Sequence, residues 1–411
     1  MTDLPLEGIR VLDLSRWLPG PYGTLFLADF GADVIRVEDT AEGDPYRQLK
    51  PLVQGHGARH LMLNRNKRGV GINLKDPRGR EAFWRLADTA HVVFDQFRPG
   101  VAARLGIDYE TLAARNPRLV YCSLSGFGQD GPYRDVVAHD PVYQGLAGIV
   151  SLMGHPGGPP FIPPVCMADI TSGLMSALAI VIALRHAERT GQGQYIDLSL
   201  YDTVLSTLVT PASLALFTGR GPRQGEERHA GRYPCSAVYE TSDGRYIVFC
   251  ATENHFWANL CRFFCREDFI DHQWDDGPKR EEMFTFFREA FKARSQDEWV
   301  RLLWDRQVAF GPVRTIDEAF SDEHIRHRQM VTHVETPGVG TTPQIGLPIK
   351  LSSTPGSIRH GAPLHGQHTE DLLLEVGYSA QEIEVMAREG AIKVRVRDCE
   401  QEGPVLRGDL S

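Results

Sequence analysis

Hydrophobic and polar positions along the first 125 residues follow two alternating periods. Short apolar runs typical of buried strands lie at residues 9–14, 33–38, 69–74, 91–94 and 119–124. Between them, apolar positions recur at helical spacing around residues 22–30, 78–87 and 109–115. Strands that alternate with helices form a parallel sheet through right-handed crossovers. The pattern therefore predicts an open α/β sheet, with ligands expected beyond the carboxyl ends of its strands.

A further helix is predicted over residues 172–188, and its apolar positions run nearly all round, which indicates burial. Asp169 precedes this helix inside an otherwise apolar run. A carboxylate there loses water, which raises its pKa, whereas the helix N-terminus favours its anion. Such a residue can act as a nucleophile or move a proton, and its alternative role is that of a helix N-cap.

The pattern changes after residue 219. Residues 219–231 are rich in Gly and Arg and are predicted to form a linker, followed by a hairpin through residues 242–244 and by amphipathic helices. A chain of 411 residues exceeds what one core normally organises. We expect residues 1–220 to begin a large domain, residues 225–330 to form a smaller α+β domain, and residues 331–411 to return to the large one.

Composition excludes several classes of protein. The hydrophobic fraction of 42% and the charged fraction of 24% are those of a globular protein, and the net charge of −9 argues against a general nucleic-acid binder. The longest uncharged apolar run, residues 174–184, is shorter than the roughly 18 residues of a membrane helix. The first residues show no signal peptide, and the seven cysteines are scattered, as expected for reduced thiols. We therefore expect a cytoplasmic protein with no metal site and no membrane partner.

Several polar residues are candidates for ligand binding. Prolines in the turn at residues 18–23 replace the three-glycine fingerprint, which disfavours a nicotinamide or flavin enzyme. Six basic residues lie near predicted strand ends or loops: Arg65, Lys67, Arg68, Lys75, Arg98 and Arg104. Each one alone is typical of a solvated surface, but together at one sheet edge they would suit an anion with several phosphates. The glycine-rich residues 125–133 form either a connection or a backbone close to a ligand. His139 is a candidate general base, and Glu253 is either functional or a helix-start acid.

Taken together and in order, these motifs resemble the family III CoA-transferases, a family that includes α-methylacyl-CoA racemase. The matching segments are residues 6–14, 19–21, 28–38, 64–68, 73–75, 97–101, 116–121, 126–132, 347–356 and 366–369. The resemblance covers nearly the whole chain. It implies a Rossmann-like large domain built from both chain ends, a small middle domain, and a homodimer of interlocked rings.

The resemblance also implies which residues act. Lys75, Arg98 and Arg104 are expected near the nucleotide phosphates of CoA, which enters as part of the substrate, and no permanently bound cofactor is implied. Asp169 falls on the catalytic aspartate of the family, which in the transferases holds CoA as an aspartyl thioester before an acceptor carboxylate takes it. We therefore predict a CoA-transferase acting on acyl-CoA and carboxylic acid substrates.

Two alternatives stay open. His139 stands where the racemase has its catalytic histidine, and Glu253 falls on the acid that supports it, so that Asp169 and His139 would form an acid/base pair at the substrate α-carbon. The context of Asp169 and the tail favour a transferase instead. A non-catalytic subunit of a heteromeric CoA-transferase is the other alternative, and the presence of Asp169 argues against it. The glutamine and multi-glycine loop of formyl-CoA transferase are missing, which disfavours oxalate and formate.

Overall fold

The computed structural model describes residues 4–395. Its strands are β1 (Arg10–Asp13), β2 (Asp33–Glu38), β3 (Leu52–Val53), β4 (His56–Gly57), β5 (Lys67–Ile72), β6 (Val92–Asp95), β7 (Val120–Ser125), β8 (Gln194–Ser199), β9 (Val238–Glu240), β10 (Tyr246–Phe249), β11 (Phe310–Pro312), β12 (Val331–Thr336), β13 (Gly340–Ile345) and β14 (Ile392–Lys393).

The α-helices lie between these strands and after them. They are α1 (Pro19–Asp29), α2 (Ala58–Leu63), α3 (Pro77–Asp88), α4 (Val101–Leu105), α5 (Tyr109–Ala113), α6 (Asp140–Leu146), α7 (Ile149–Leu152), α8 (Met167–Thr190), α9 (Leu200–Ser206), α10 (Val209–Thr218), α11 (Asn254–Phe263), α12 (Pro278–Phe291), α13 (Gln296–Leu303), α14 (Ile316–Phe320), α15 (Glu323–His327), α16 (Thr369–Glu375) and α17 (Ala380–Arg388). Short turns of other helix types span Pro45–Arg47, Arg228–Arg232 and Glu267–His272.

The largest sheet has seven strands in the order β14-β5-β2-β1-β6-β7-β8. All neighbours pair in parallel except β14, which runs antiparallel to β5. If the six parallel strands are numbered by their order along the chain, their order across the sheet is 3-2-1-4-5-6. The strand order therefore reverses between β1 and β6. Ligands of open α/β sheets bind at the carboxyl ends of the strands beside such a reversal. The predicted α/β architecture with a large, mostly parallel sheet is confirmed.

The chain divides into two compact units. Of the described residues, the first contains residues 4–140, Met167–Val204 and residues 329–395, and the second contains Pro141–Cys166 and Leu205–Arg328. The first unit is thus built from separated segments that include both ends of the described chain. Residues 205–220, which the sequence pattern assigned to the large domain, belong to the second unit together with residues 141–166.

The core of the first unit packs helices against the strands through buried Leu12, Ile35, Phe83, Val93 and Tyr121, each at most 1% exposed. Helices α1 and α8 approach so closely that glycines are required at their contact. A Cβ atom on Gly173 would lie 2.4 Å from the carbonyl oxygen of Pro19, and one on Gly23 would lie 2.5 Å from the carbonyl oxygen of Gly173. Any larger side chain would force the two helices apart.

The second unit has its own core, which is rich in aromatic side chains. The antiparallel strands β9, β10 and β11 form its sheet, and the predicted hairpin through residues 242–244 joins β9 to β10. Trp257, Phe287 and Phe291 are fully buried against this sheet, with ring pairs such as Phe249 and Phe291 at 4.8 Å between centroids. Edge-to-face and offset ring contacts add to the stabilisation that burial provides.

Helix α8 is longer than the apolar run at residues 174–184 that the sequence pattern singled out. Over an 18-residue window its mean hydropathy is 1.9, so by length and composition it matches a membrane span. A core helix has the same composition, and α8 buries Ser172, Ile180 and Leu184 inside the first unit. The expected absence of a membrane partner stays a prediction.

Candidate active site

Asp169 lies in the first turn of α8. The helix begins at Met167, five residues before its predicted start, and the hydroxyls of Thr171 and Ser172 donate to the carbonyls of Met167 and Ala168 within it. Asp169 is therefore inside the helix and not its N-cap, which corrects the alternative role considered for it. Its backbone N–H donates to the Oδ2 atom of Asp140 at 3.1 Å.

The environment of the Asp169 carboxyl favours its neutral form. Burial raises its pKa, and the negative charge of Asp140 raises it further, to about 7. A carboxyl group with this pKa is ionised about half the time at neutral pH, and its anion is more basic and more nucleophilic than that of a solvated aspartate. These surroundings make Asp169 a candidate reactive carboxylate.

His139 directly precedes Asp140 in the chain and is exposed. His139 is therefore the chain neighbour of the residue that accepts the backbone N–H of Asp169. Glu253 lies in the second unit, where it is exposed at the start of α11 and accepts a hydrogen bond from the hydroxyl of Thr252 at 3.2 Å. This placement agrees with the helix-start role that the sequence left open for Glu253.

A buried ion-pair network supports the turn that leads into α1. Arg36 contacts the carboxylates of Asp13, at 3.4 Å, and Asp44, and these side chains are at most 1% exposed. Lys67 reaches the same Asp13 carboxylate at 3.3 Å. Asp44 also accepts the backbone N–H of Trp17 at 3.2 Å. The network thereby holds Trp17 at φ +63°, a conformation that residues other than glycine rarely adopt.

Two of the three basic residues predicted for CoA binding line one cavity. Lys75 and Arg104, together with Arg16, lie around a space of about 350 Å³ beside Val37 and Phe97. The cavity lies at the carboxyl ends of β1, β2 and β5, on the side of the sheet edge where an α/β sheet binds ligands. Arg98, the third predicted residue, is exposed in the segment after β6.

The other basic residues considered for an anionic ligand are held by acids of the protein. Arg65 pairs with Asp29 at 2.7 Å, and Arg68 pairs with Asp33 at 2.6 Å. Lys67 is fully buried beside Asp13. Because these acids neutralise their charges, the three residues are less suited to binding an anionic ligand than Lys75 and Arg104. Sequence position near a strand end did not distinguish them from Lys75 and Arg104.

Two residues of the candidate site are not predicted by the sequence pattern. The sequence motif places Asp140 only beside His139, whereas the structure shows its carboxylate accepting the backbone N–H of Asp169, and Arg16, which pairs with Asp39 at 3.1 Å, also lines the cavity. The contact itself joins residues 29 positions apart and is visible only in the fold.

The sequence model of CoA-transferase family III matches residues 6–369 of the chain. The chain belongs to this family. A succinate–glutarate CoA-transferase of Agrobacterium fabrum is 34% identical, over 92% of this chain and 98% of its own. The beta subunit of a succinyl-CoA–L-malate CoA-transferase of Chloroflexus aurantiacus is 33% identical, over 91% of this chain and 95% of its own. A solved CAIB/BAIF family protein of Brucella suis superimposes with a TM-score of 0.80 at 31% identity, covering 91% of this chain and all of that one.

Membership of family III confirms the resemblance seen in the sequence motifs, and it identifies the chain as an enzyme of the CoA-transferase class. The similarity extends through both compact units, since the matched region begins before β1 and ends at the start of α16. Within this family III chain, the half-buried Asp169 and the cavity beside Lys75 and Arg104 are the candidate site features.

Proposed function

We propose that this family III CoA-transferase moves CoA from an acyl-CoA to a carboxylic acid through an aspartyl-CoA thioester on Asp169. The observation that carries the proposal is the position of Asp169 in the first turn of α8, where burial and Asp140 raise its pKa to about 7. Lys75, Arg98 and Arg104 would hold the phosphates of the CoA nucleotide. Guanidinium and ammonium groups without an internal acid partner are suited to binding phosphate.

The proposed reaction has two symmetrical halves. The Asp169 carboxylate attacks the thioester carbonyl, the carbon–sulfur bond breaks, and a mixed anhydride and CoA thiolate form. The thiolate then attacks the Asp169 carbonyl, which releases the donor acid as a carboxylate and leaves aspartyl-CoA. The acceptor carboxylate attacks this thioester and again forms an anhydride and thiolate. Attack of the thiolate on the acceptor carbonyl gives the new acyl-CoA and restores Asp169.

The substrates that we propose are dicarboxylic acids with four or five carbon atoms and their CoA thioesters. The named relatives act on succinate and glutarate, or on succinyl-CoA and malate, and both align with this chain over at least nine tenths of its length. The chain also lacks the glutamine and the multi-glycine loop of formyl-CoA transferase, which disfavours oxalate and formate and agrees with longer acids as substrates.

A trapping experiment tests the proposed mechanism. After incubation with succinyl-CoA, borohydride or hydroxylamine is expected to modify Asp169, because an aspartyl thioester is an activated acyl group. Mass spectrometry locates the modification, and Asp169→Ala should prevent it. A racemase would behave differently, because it would introduce deuterium at the α-carbon of a 2-methylacyl-CoA in heavy water without any acceptor acid, and His139→Ala would stop the exchange. Exchange without trapping would replace the proposal by the racemase alternative.

The charge of Asp140 is expected to control the pH at which the enzyme becomes active. Since the ionised form of Asp169 attacks, kcat/KM should rise as pH increases through about 7 in the wild type. Asp140→Asn keeps an oxygen for the Asp169 N–H but removes the charge, so the pKa of Asp169 falls and the rise moves to lower pH. A pH–rate profile measures the shift, with Glu110→Gln, an exposed acid of the same unit, as the control. An unmoved profile would show that the rise does not report Asp169.

We also propose that the chain assembles as a homodimer. Each unit exposes apolar side chains that a second copy would cover, since Leu174, Leu178 and Ile182 lie four residues apart on α8, and Leu216 and Phe217 on α10 are 82% and 89% exposed. Apolar surface of this kind marks interaction sites. Light scattering should give twice the mass of one chain. A single-chain mass, or activity only with a second type of subunit, would contradict the homodimer.

A further inference from the structure

Two guanidinium groups converge beside Gly100, in the segment that follows β6. Gly100 has φ +80°, and a Cβ atom built on it would lie 3.6 Å from Nη1 of Arg104 and 3.8 Å from Nη2 of Arg134. Both groups are thus within 4 Å of one point at the sheet edge where ligands bind. Arg98 lies two residues before Gly100, and a backbone hydrogen bond of 3.1 Å from Val101 to Arg98 closes the turn.

These arginines carry more positive charge than the nearby acids compensate. Within residues 4–395, neither Arg98 nor Arg104 has a carboxylate within 4 Å, and Arg134 meets only Asp135, at 3.3 Å. The Asp135 side chain is 81% exposed, so water weakens this pair. Like charges held together repel unless an anion binds between them. The arrangement therefore suits a ligand with negative charge.

Arg134 is held in place by a chain of hydrogen bonds. Its Nε–H donates to the carbonyl oxygen of Gln129 at 2.8 Å. The backbone N–H of Gln129 donates to Oδ2 of Asp197 at 3.0 Å, and its side-chain amide donates to the hydroxyl of Ser123 at 3.0 Å. The backbone and the side chain of Gln129 therefore both anchor the glycine-rich loop to the sheet.

The support for this loop comes from three neighbouring strands. Asp95 on β6, Ser123 on β7 and Asp197 on β8 occupy the same register across the sheet. The Ser123 hydroxyl donates to Oδ1 of Asp95 at 3.2 Å, and the Asp95 side chain is almost fully buried. Because the row is built on paired strands, it positions Arg134 more firmly than a surface side chain on a free loop. A guanidinium fixed in this way loses little entropy when it binds an anion.

We propose that Arg134 is a third arginine of the phosphate site formed with Arg98 and Arg104, and that it binds a phosphate group of CoA. This inference rests on the proposed function, since it places Arg134 beside two residues assigned there to CoA. The glycine-rich loop then has a defined role, because it carries an arginine to the ligand. CoA offers two sources of the same chemistry, the 3′-phosphate and the diphosphate, and both accept hydrogen bonds from a guanidinium fork.

Binding of three ligands to the full-length protein tests the proposal. Calorimetry with CoA, 3′-dephospho-CoA and pantetheine should show that Arg134→Ala weakens CoA binding about tenfold, as expected for loss of a charged hydrogen bond. Unchanged affinity for dephospho-CoA would assign Arg134 to the 3′-phosphate, and equal loss for both nucleotides would assign it to the diphosphate. Pantetheine binding should not change in either case. In activity measurements, KM for acyl-CoA should rise about tenfold while kcat stays constant.

Two further variants separate the role of Arg134 from a general disturbance. Arg134→Lys should recover part of the affinity, and Arg118→Ala, an exposed arginine just before the opposite end of β7, should bind all three ligands like the wild type. Wild-type affinity of Arg134→Ala for CoA, or an equal loss for pantetheine, would overturn the proposal. If Arg104→Ala weakens CoA binding while Arg134→Ala does not, only the further inference fails. If the wild type does not transfer CoA, the proposed function fails, and the calorimetry still decides the role of Arg134.

Discussion

Replacing Asp169 by Asn is expected to reduce kcat for CoA transfer by about a thousandfold or more, because the covalent route needs a carboxylate and an amide cannot attack the thioester. The substitution keeps the size of the side chain, and the backbone N–H that Asp140 accepts is unaffected. Affinity for CoA should therefore stay within about twofold of the wild type. Steady-state kinetics with succinyl-CoA and glutarate measure the first effect, and calorimetry with CoA measures the second.

The matched control for Asp169 is another acid of the same helix. Glu188 lies near the other end of α8 and forms an exposed pair with Arg185. Glu188→Gln should leave kcat unchanged. If Asp169→Asn retained more than about a tenth of the wild-type kcat under these conditions, a mechanism with a covalent aspartyl intermediate would be excluded.

Replacing Arg36 by Met is expected to lower the free energy of unfolding by about 3–5 kcal/mol, the usual cost of leaving buried charges without their partner. Arg36 is the side chain that contacts both Asp13 and Asp44 in the interior of the first unit. Urea denaturation measures the change. Arg115→Met removes an exposed pair with Asp88 and should cost less than about 1 kcal/mol. The double variant Arg36→Met/Asp44→Asn should be more stable than Arg36→Met alone.

The same network predicts how stability depends on pH. Burial alone would raise the pKa of Asp13, but Lys67 and Arg36 outweigh it, so the pKa in the folded protein lies below the usual value of 3.8. The stability that this carboxylate contributes is fully present above about pH 4 and is lost as pH falls through the lowered pKa. Arg36→Met should raise that pKa, so that acid unfolding begins at a higher pH. Identical acid unfolding curves for wild type and variant would contradict this account.

Much of the fold could be predicted because its strands are short apolar runs separated by helical patterns. The range of β2 agrees with the sequence prediction, and β1, β5, β6 and β7 shift by one or two residues. The hairpin of β12 and β13 was not predicted, because its alternation includes threonines and a proline and has weak hydrophobic contrast. The assignment of residues 141–166 to the second unit was also not predictable, since it depends on contacts with residues distant in the sequence.

The site could be predicted only as far as local sequence determines it. Asp169 was recognisable as an acid in an apolar context, and Lys75 and Arg104 as cations near strand ends. The sequence does not show which acid forms an ion pair with each basic residue. Arg65, Lys67 and Arg68 look like Arg104 in the sequence, and only the fold shows that Asp29, Asp13 and Asp33 neutralise them. Ion pairing between distant segments decides which cations remain available for a ligand.

The arrangement of the main sheet also has a consequence for synthesis of the protein on the ribosome. Strand β5 is translated early, yet the partners of its outer edge come late in the chain: Gly69 exchanges hydrogen bonds with His368, and β14 pairs with Gly71 and Ile72. During most of translation that edge has unpaired backbone groups, which are a template for pairing with other chains. The contact between β5 and β14 spans most of the chain, and such distant pairing forms slowly. The nascent protein is therefore exposed to aggregation at this edge until β14 has been synthesised, and a chaperone that shields the β5 edge would have its largest effect in that interval.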